Sequence, residues 1–131
     1  SLEQGVDLVW HAFDDMVGGE IYVKKIPSMN ICDLARAVAP ECAQKTVGIR
    51  PGEKLHEQMI GAEDSFHTYE YPEHFKILPA INGWDETRER IKNGVKVPEG
   101  FVYASDNNTE WMTREELQAW IEANKEKIGA I

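Results

Sequence analysis

Apolar residues recur at helical spacing along the first stretch of the chain, and a serine stands directly before them. Ser1 can cap the helix, and Gln4 occupies the capping-box position three residues later. A glycine pair, Gly18-Gly19, ends the periodic pattern. The sequence therefore predicts a helix whose apolar face consists of Leu2, Val6, Val9, Trp10, Phe13 and Met16.

Two short apolar segments follow, and each predicts a strand: residues 20–24 and residues 46–49. Between them Asn30 caps a second helix, and Pro40 marks its end. We expect the core face of this helix to consist of Ile31, Leu34, Ala35 and Val38.

The second half of the chain gives a weaker pattern. Residues 54–60 predict a short helix or an irregular turn, and the aromatic residues 68–78 predict extended structure. Residues 82–100 are rich in glycine, proline and mixed charge, which indicates an excursion with a short helix over residues 86–92. Residues 101–104 predict another strand. A capping box of Thr113 and Glu116 then begins the last helix, which Gly129 ends. The fold class predicted is α/β in the mixed α+β sense.

Length and charge limit the kind of protein this is. A chain of 131 residues suits one compact domain over residues 1–131. Its net charge of -9 would repel a phosphate backbone, so we do not expect a nucleic-acid partner. Cys32 and Cys42 form no disulfide framework, and no segment has the character of a signal peptide or a membrane span. We therefore expect a soluble cytoplasmic protein without a membrane partner.

Local catalytic motifs are missing from the sequence. His56-Glu57 begins like a zinc motif, but Ile60 stands where the second histidine is needed. No P-loop, no GxGxxG and no tyrosine followed four residues later by lysine occurs. The sequence therefore assigns no catalytic residue and no metal ligand.

The tetrapeptide Arg50-Pro51-Gly52-Glu53 is the most informative motif. Proline followed by glycine favours a type II turn that projects Arg50 and Glu53 side by side. A guanidinium can bind a diphosphate in bidentate fashion, and a carboxylate can accept from the vicinal hydroxyls of a ribose. The alternative is an exposed ion pair without function, worth about 0 to 1 kcal/mol. Lys24 and Lys25 either add positive charge to such a cleft or are simply solvated.

Several segments together resemble one enzyme family. Residues 18–29, 33–35 and 48–57 are similar to the C-terminal portion of the inverting UDP-N-acetylglucosamine 4,6-dehydratases. Residues 2–7, and residues 105–108 followed by Trp111, resemble the same family. The resemblance spans nearly the whole chain.

The resemblance implies a small C-terminal sugar-nucleotide-binding domain of an extended short-chain dehydrogenase, lacking the Rossmann domain. In that family, which serves bacterial polysaccharide and flagellin-glycan biosynthesis, NADP in the Rossmann domain takes hydride from C4 of the sugar and returns it to C6 after loss of water. The resemblance implies that Arg50 contacts the diphosphate of the ligand and that Glu53 contacts its ribose or the adjoining nucleoside. It implies that Lys25 and Lys54 are neighbours of this site. It places the catalytic residues and the cofactor outside this chain, so the partners expected are a UDP-sugar and the Rossmann domain.

A different hypothesis also fits the sequence. The chain could be a free-standing interaction or assembly module that keeps the fold without binding nucleotide, with Tyr69, Tyr71 and Trp84 as exposed interface residues. Where a Rossmann domain has been lost, we expect the isolated chain to self-associate, because that loss exposes an apolar face.

Overall fold

The computed structural model describes residues 1–80 and 88–128. Helices and short strands alternate along them, so the predicted mixed α+β class is confirmed. The helices are α1 (Leu2–Asp15), α2 (Ile31–Val38), a 3-10 helix (Ala62–His67), α3 (Arg88–Ile91), α4 (Arg114–Ala123) and α5 (Lys125–Ile128). The strands are β1 (Ile21–Lys24), β2 (Gln58–Ile60), β3 (Thr68–Glu70), β4 (His74–Ile77), β5 (Val95–Lys96) and β6 (Tyr103–Ala104).

The chain forms two compact units, each built from two stretches of sequence. The first unit comprises Ser1–Lys25 and Gln58–Ala104, and the second comprises Ile26–Glu57 and Ser105–Ile131. The prediction of one sugar-nucleotide-binding domain over residues 1–131 stays a prediction.

The first unit contains both sheets. An antiparallel sheet has the strand order β1-β4-β3-β5, and β2 pairs separately with β6. Alternate residues of β1 and β4 point to one side, where Val23 lies opposite Phe75 in the ladder. The larger core cluster lies on this side and consists of Val23, Ile60, Phe75, Ile77, Val97 and Tyr103.

The second unit is held by helix packing and by a short backbone junction. Helices α2 and α4 pack together, and Leu117 of α4 is fully buried. Ser28 forms an isolated parallel bridge with Trp111, in which its N–H donates to the carbonyl of Glu110 over 2.8 Å and its carbonyl accepts from Met112 over 2.8 Å. Trp111 and Trp120 both remain largely exposed.

The predicted helix caps are confirmed. Ser1 with Gln4 and Thr113 with Glu116 form complete capping boxes, and the Asn30 side chain accepts from the N–H of Cys32. These caps satisfy N–H groups that have no partner inside a helix. Gly129, predicted to end the last helix, lies outside the described residues.

The predicted strand at residues 46–49 is wrong. These residues form no ladder, and Val47 and Ile49 are exposed. Gly48 lies between them with a φ of +84°, a conformation that breaks an extended strand. Arg50 therefore does not follow the end of a strand, and the expectation drawn from open parallel sheets does not apply here.

Two other predictions need correction. Residues 54–60 contain no helix; they run irregularly and then enter β2. The extended structure at residues 68–78 is confirmed as the β3–β4 hairpin, but its Tyr69 and Tyr71 are buried rather than exposed. The predicted short helix is described only over Arg88–Ile91, and Trp84 lies outside the described residues.

The apolar faces of the first two helices are less buried than their patterns suggest. No residue of α2 is fully buried, and Ile31 is exposed, because this helix contacts only α4 extensively. In α1 the apolar face predicted from the sequence points to solvent, and the mixed face with Leu8, Ala12 and Asp15 is the half-buried one. No helix within residues 1–80 and 88–128 has the length and apolar character needed to cross a membrane.

Candidate functional site

The Arg50–Glu53 turn lies in the second unit and has the geometry that the sequence predicts. The N–H of Glu53 donates to the carbonyl of Arg50 over 3.1 Å, and Gly52 has the φ of +87° that the third position of a type II turn requires. The Glu53 carboxylate folds back and accepts from the N–H of Arg50 over 2.8 Å. The turn is therefore closed by one backbone bond and one side-chain bond.

The two side chains of this turn form an exposed ion pair. Arg50 Nε lies 3.6 Å from Glu53 Oε1, and the side chains are 81% and 48% exposed. The pair is weak, because solvent screens charges at this level of exposure. Both groups can consequently exchange their mutual contact for a ligand at little cost, with the guanidinium supplying donors and the carboxylate supplying acceptors.

The two predicted neighbours lie in different surroundings. Lys54 follows the turn directly and is exposed. Lys25 belongs to the first unit, where its Nζ donates to Glu70 over 2.6 Å and lies 5.0 Å from the centre of the Phe75 ring. Lys25 thus has a structural role within its own unit, and its place in a ligand site stays a prediction.

A buried charged cluster in the first unit was missed by the sequence reasoning. Lys76 is only 1% exposed; its Nζ forms an ion pair with Asp15 and donates to the carbonyl of Arg90 over 2.8 Å. Tyr22 and Lys92 also donate to Asp15, over 2.7 and 2.5 Å. The contacts join residues far apart in sequence, so no spacing could reveal them. The one available signal is the polar alternation of His74 and Lys76 along β4.

A second buried ion pair ties the connection between α1 and β1 to α3. Arg90 donates to Glu20 over 2.5 Å and to the carbonyl of Gly18 over 3.0 Å. Glu20 also accepts from the N–H groups of Val17 and Gly18. Because buried charges are tolerated only when paired and hydrogen-bonded, this arrangement fixes the chain between α1 and β1.

The cluster shifts the pKa values of its members. Burial raises the pKa of Asp15, but hydrogen bonds from Lys76, Lys92 and Tyr22 outweigh this effect and hold it well below its usual range. Burial, followed by the hydrogen bond to Asp15 and then the Asp15 charge, raises the pKa of Tyr22, and burial raises the pKa of Tyr71 to about 12. Both tyrosines therefore stay neutral hydrogen-bond donors at physiological pH.

His74 is packed among rings beside this cluster. Its ring stacks on Tyr71 with centres 4.6 Å apart and meets the ring of His11 at 4.8 Å. Burial, together with His11 and Lys76, lowers the pKa of His74 to about 4. His74 is thus neutral at physiological pH.

The glycine pair Gly18-Gly19 does not have the setting of a dinucleotide-binding loop. Gly18 and Gly19 have positive φ values, but they connect α1 to β1, whereas a dinucleotide loop connects a strand to the helix after it. No step of a reaction is therefore assigned to NADP within this chain.

Solved structures show the class of protein to which this fold belongs. The X-ray structure of Pen from Bacillus thuringiensis superposes with a TM-score of 0.74 and 25% identity, covering 95% of this chain and 37% of that one. The fold is thus a small mixed α+β domain that occurs within a longer chain. The chain belongs to the polysaccharide biosynthesis protein family, whose profile matches residues 1–79.

Curated relatives confirm the resemblance seen in the sequence. The chain is 48% identical over 122 residues to the inverting UDP-N-acetylglucosamine 4,6-dehydratases of two Campylobacter jejuni strains, serotypes O:2 and O:23/36. It is also 32% identical over 81 residues to the UDP-glucose 4-epimerase of Rickettsia canadensis, covering 59% of this chain and 24% of that enzyme. The Campylobacter matches cover 89% of this chain and 36% of each dehydratase, so the chain spans about a third of the length of those relatives.

Proposed function

We propose that this chain is the sugar-nucleotide-binding part of a C5-inverting UDP-N-acetylglucosamine 4,6-dehydratase. The 48% identity to the Campylobacter jejuni dehydratases over most of the chain carries the proposal. In this proposal NADP and the catalytic residues belong to a Rossmann domain outside the 131 residues. The chain itself contributes the binding and orientation of the UDP-sugar.

The Arg50–Glu53 turn supports this function through its chemistry. A diphosphate needs cationic donors, and the exposed Arg50 guanidinium provides them in a fixed fork. A ribose needs acceptors for its vicinal hydroxyls, and Glu53 is an acceptor when ionised. Lys54, exposed and adjacent to Glu53, adds a second cation on the same loop. In a chain with a net charge of -9, such placed cations are needed to hold a diphosphate.

The experiment is a chimeric enzyme. The Campylobacter jejuni dehydratase would carry this chain in place of its own matching segment, and its UDP-N-acetylglucosamine dehydratase activity would be measured. We expect the chimera to be active and Arg50→Ala to lower kcat/KM by about 10- to 100-fold, as expected for losing a charged hydrogen bond. Arg36→Ala is the matched control, since Arg36 is also exposed in the second unit and pairs with an acid three residues away. A fully active Arg50→Ala chimera would contradict the role of Arg50.

The exposed face of α1 supports the proposed contact with the rest of the enzyme. Leu2, Val9, Trp10 and Phe13 are more than half exposed, and the rings of Trp10 and Phe13 contact each other. An apolar face of this size is normally covered by another surface. We propose that the Rossmann domain covers it in the parent enzyme and that a second copy does so in the isolated chain.

Light scattering of the isolated chain tests this contact. We expect self-association that Trp10→Glu abolishes. Leu55→Glu serves as the control, because Leu55 is equally apolar and exposed but lies on the loop after the Arg50–Glu53 turn. A monomeric mass across a wide concentration range would refute the self-association.

A further inference from the structure

A cleft of about 430 Å³ lies within the first unit, between α1 and the turn that joins β3 to β4. One wall is a single stripe of α1, in which Asp7, Leu8 and His11 follow at helical spacing. The other wall is the β3–β4 turn, which includes Pro72. Neither the UDP-sugar proposal nor the Arg50–Glu53 turn uses this cleft.

Both walls of the cleft are held in place by contacts elsewhere in the first unit. The last turn of α1 is fixed by the ion pair between Asp15 and Lys76. The N–H of Tyr71 donates to the carbonyl of His74 over 2.9 Å and closes the turn of the opposite wall. The Tyr71 hydroxyl donates to the carbonyl of Ile91 over 2.7 Å. A ligand therefore meets a preformed cleft, which lowers the ordering cost of binding.

The lining of the cleft is mainly apolar, and its polar groups lie at the mouth. Tyr71 and His74 are buried, so they form the base of the cleft. Leu8 and Pro72 add aliphatic surface, one from each wall. Asp7 is exposed, which places it at the mouth. An apolar cleft of about 300–1,000 Å³ with a few polar groups is typical of sites for small organic molecules.

The charges at the mouth favour a positively charged ligand. The Asp7 carboxylate has no ion pair in the described part of the chain. The other acid of the lining, Glu73, is already paired with Lys24 over 3.1 Å. This leaves one uncompensated carboxylate beside an apolar surface, in a chain whose net charge of -9 also attracts cations.

We propose that this cleft binds a small organic cation, with the apolar body of the ligand against Leu8 and Pro72 and its ammonium group at Asp7. The carboxylate at the mouth selects for the cation, because it repels an anion of the same shape. Asp7 is exposed, so its ion contact adds little, and most of the affinity comes from the apolar body. For a ligand of this size we expect a dissociation constant of about 1 mM.

NMR titration of the isotope-labelled 131-residue chain tests the proposal with three compounds of similar shape: 2-phenylethylammonium, neutral 2-phenylethanol and anionic phenylacetate. We expect the ammonium compound to bind about two- to fivefold tighter than the alcohol, and phenylacetate to bind weakest. Asp7→Asn should remove this preference. Asp14→Asn is the matched control, because Asp14 is also exposed on α1 but does not line the cleft.

The place of binding is tested by nuclear Overhauser effects from the ring protons of the ligand. We expect them at the methyl groups of Leu8 and not at those of Val9, which belongs to the exposed apolar face of α1. Effects at Val9 instead of Leu8 would overturn the proposal and mean binding to that face only. Equal affinity for the ammonium compound and the alcohol, or equal losses in Asp7→Asn and Asp14→Asn, would also overturn it. So would the absence of binding up to the solubility limit of the ammonium compound.

Discussion

Charged side chains have opposite arrangements in the two units of this chain. In the first unit Lys76 and Arg90 are buried, and their charged groups are paired with Asp15, Glu20 and backbone carbonyls. In the second unit the Arg50–Glu53 pair lies on an open turn at 3.6 Å. Burial thus makes the first set structural, and exposure leaves the second set available to a ligand. A charged motif can therefore bind a ligand where the fold leaves its charged groups exposed and only weakly paired.

The largest effect should come from breaking the buried pair. Lys76→Met removes the ammonium and leaves Asp15, within the described part of the chain, with Tyr22 and Lys92 as side-chain partners. We expect the free energy of unfolding to fall by about 3 kcal/mol, since removing one member of a buried pair leaves an uncompensated charge. Urea unfolding measures it.

Two further variants test this explanation. Lys92→Met should cost less, because the Lys92 side chain is half exposed. Adding Asp15→Asn to Lys76→Met should recover part of the loss, because the stranded charge is gone. A double variant less stable than either single one, by the sum of both losses, would show that the pair is not coupled.

The pH dependence of stability should reflect the burial of His74 in the first unit. Its folded-state pKa of about 4 lies below the unfolded value of about 6.5, so the unfolded chain takes up the proton first as the pH falls. This contribution is complete above pH 6.5 and is lost between pH 6.5 and 4, by about 3 kcal/mol. Loss from Asp15, whose pKa is lowered from 3.8, begins near pH 5 and falls mostly below that window. Urea unfolding should therefore show a slope between pH 6.5 and 4 that His74→Phe flattens.

The glycines of the two units give a smaller and more local comparison. Gly5 in α1 and Gly52 in the turn both have open space where a Cβ would stand. Gly5→Ala should stabilise the chain by about 0.5–1 kcal/mol, because alanine suits a helix better. Gly52→Ala should destabilise it by about 1 kcal/mol. The cause is the φ of +87° at this position, a backbone conformation that is unfavourable for alanine. Thermal unfolding of the two variants should move in opposite directions; a shift of the same sign would contradict the turn geometry.

Local patterns predicted the local features of this molecule well. The caps at Ser1, Asn30 and Thr113 and the Arg50–Glu53 turn depend on residues three or fewer apart, and all four formed as predicted. Such features depend on side chains meeting their own backbone, which a short sequence fully specifies. At residues 46–49 the apolar pattern alone favoured a strand, and the positive φ of Gly48 decided otherwise.

Features that join distant segments could not be predicted. The pairing of Lys76 with Asp15 depends on α1 lying against β4. The burial of Tyr69 and Tyr71 depends on Leu78 and Ile91 packing around them. The outward apolar face of α1 misleads for a different reason: periodicity tells which residues share a face, but not whether this chain covers that face.

The smallest effect on stability should come from Arg50. Its side chain is 81% exposed and its ion pair with Glu53 is long, so Arg50→Ala should change the free energy of unfolding by less than about 0.5 kcal/mol. The same substitution should lower kcat/KM in the chimeric dehydratase by about 10- to 100-fold. Lys76→Met should have the opposite effects. It should greatly lower the free energy of unfolding, and the fraction that remains folded should have an unchanged KM for the UDP-sugar. If Arg50→Ala unfolded the chain, or if Lys76→Met raised the KM as strongly as Arg50→Ala, the division between structural and available charges would not hold.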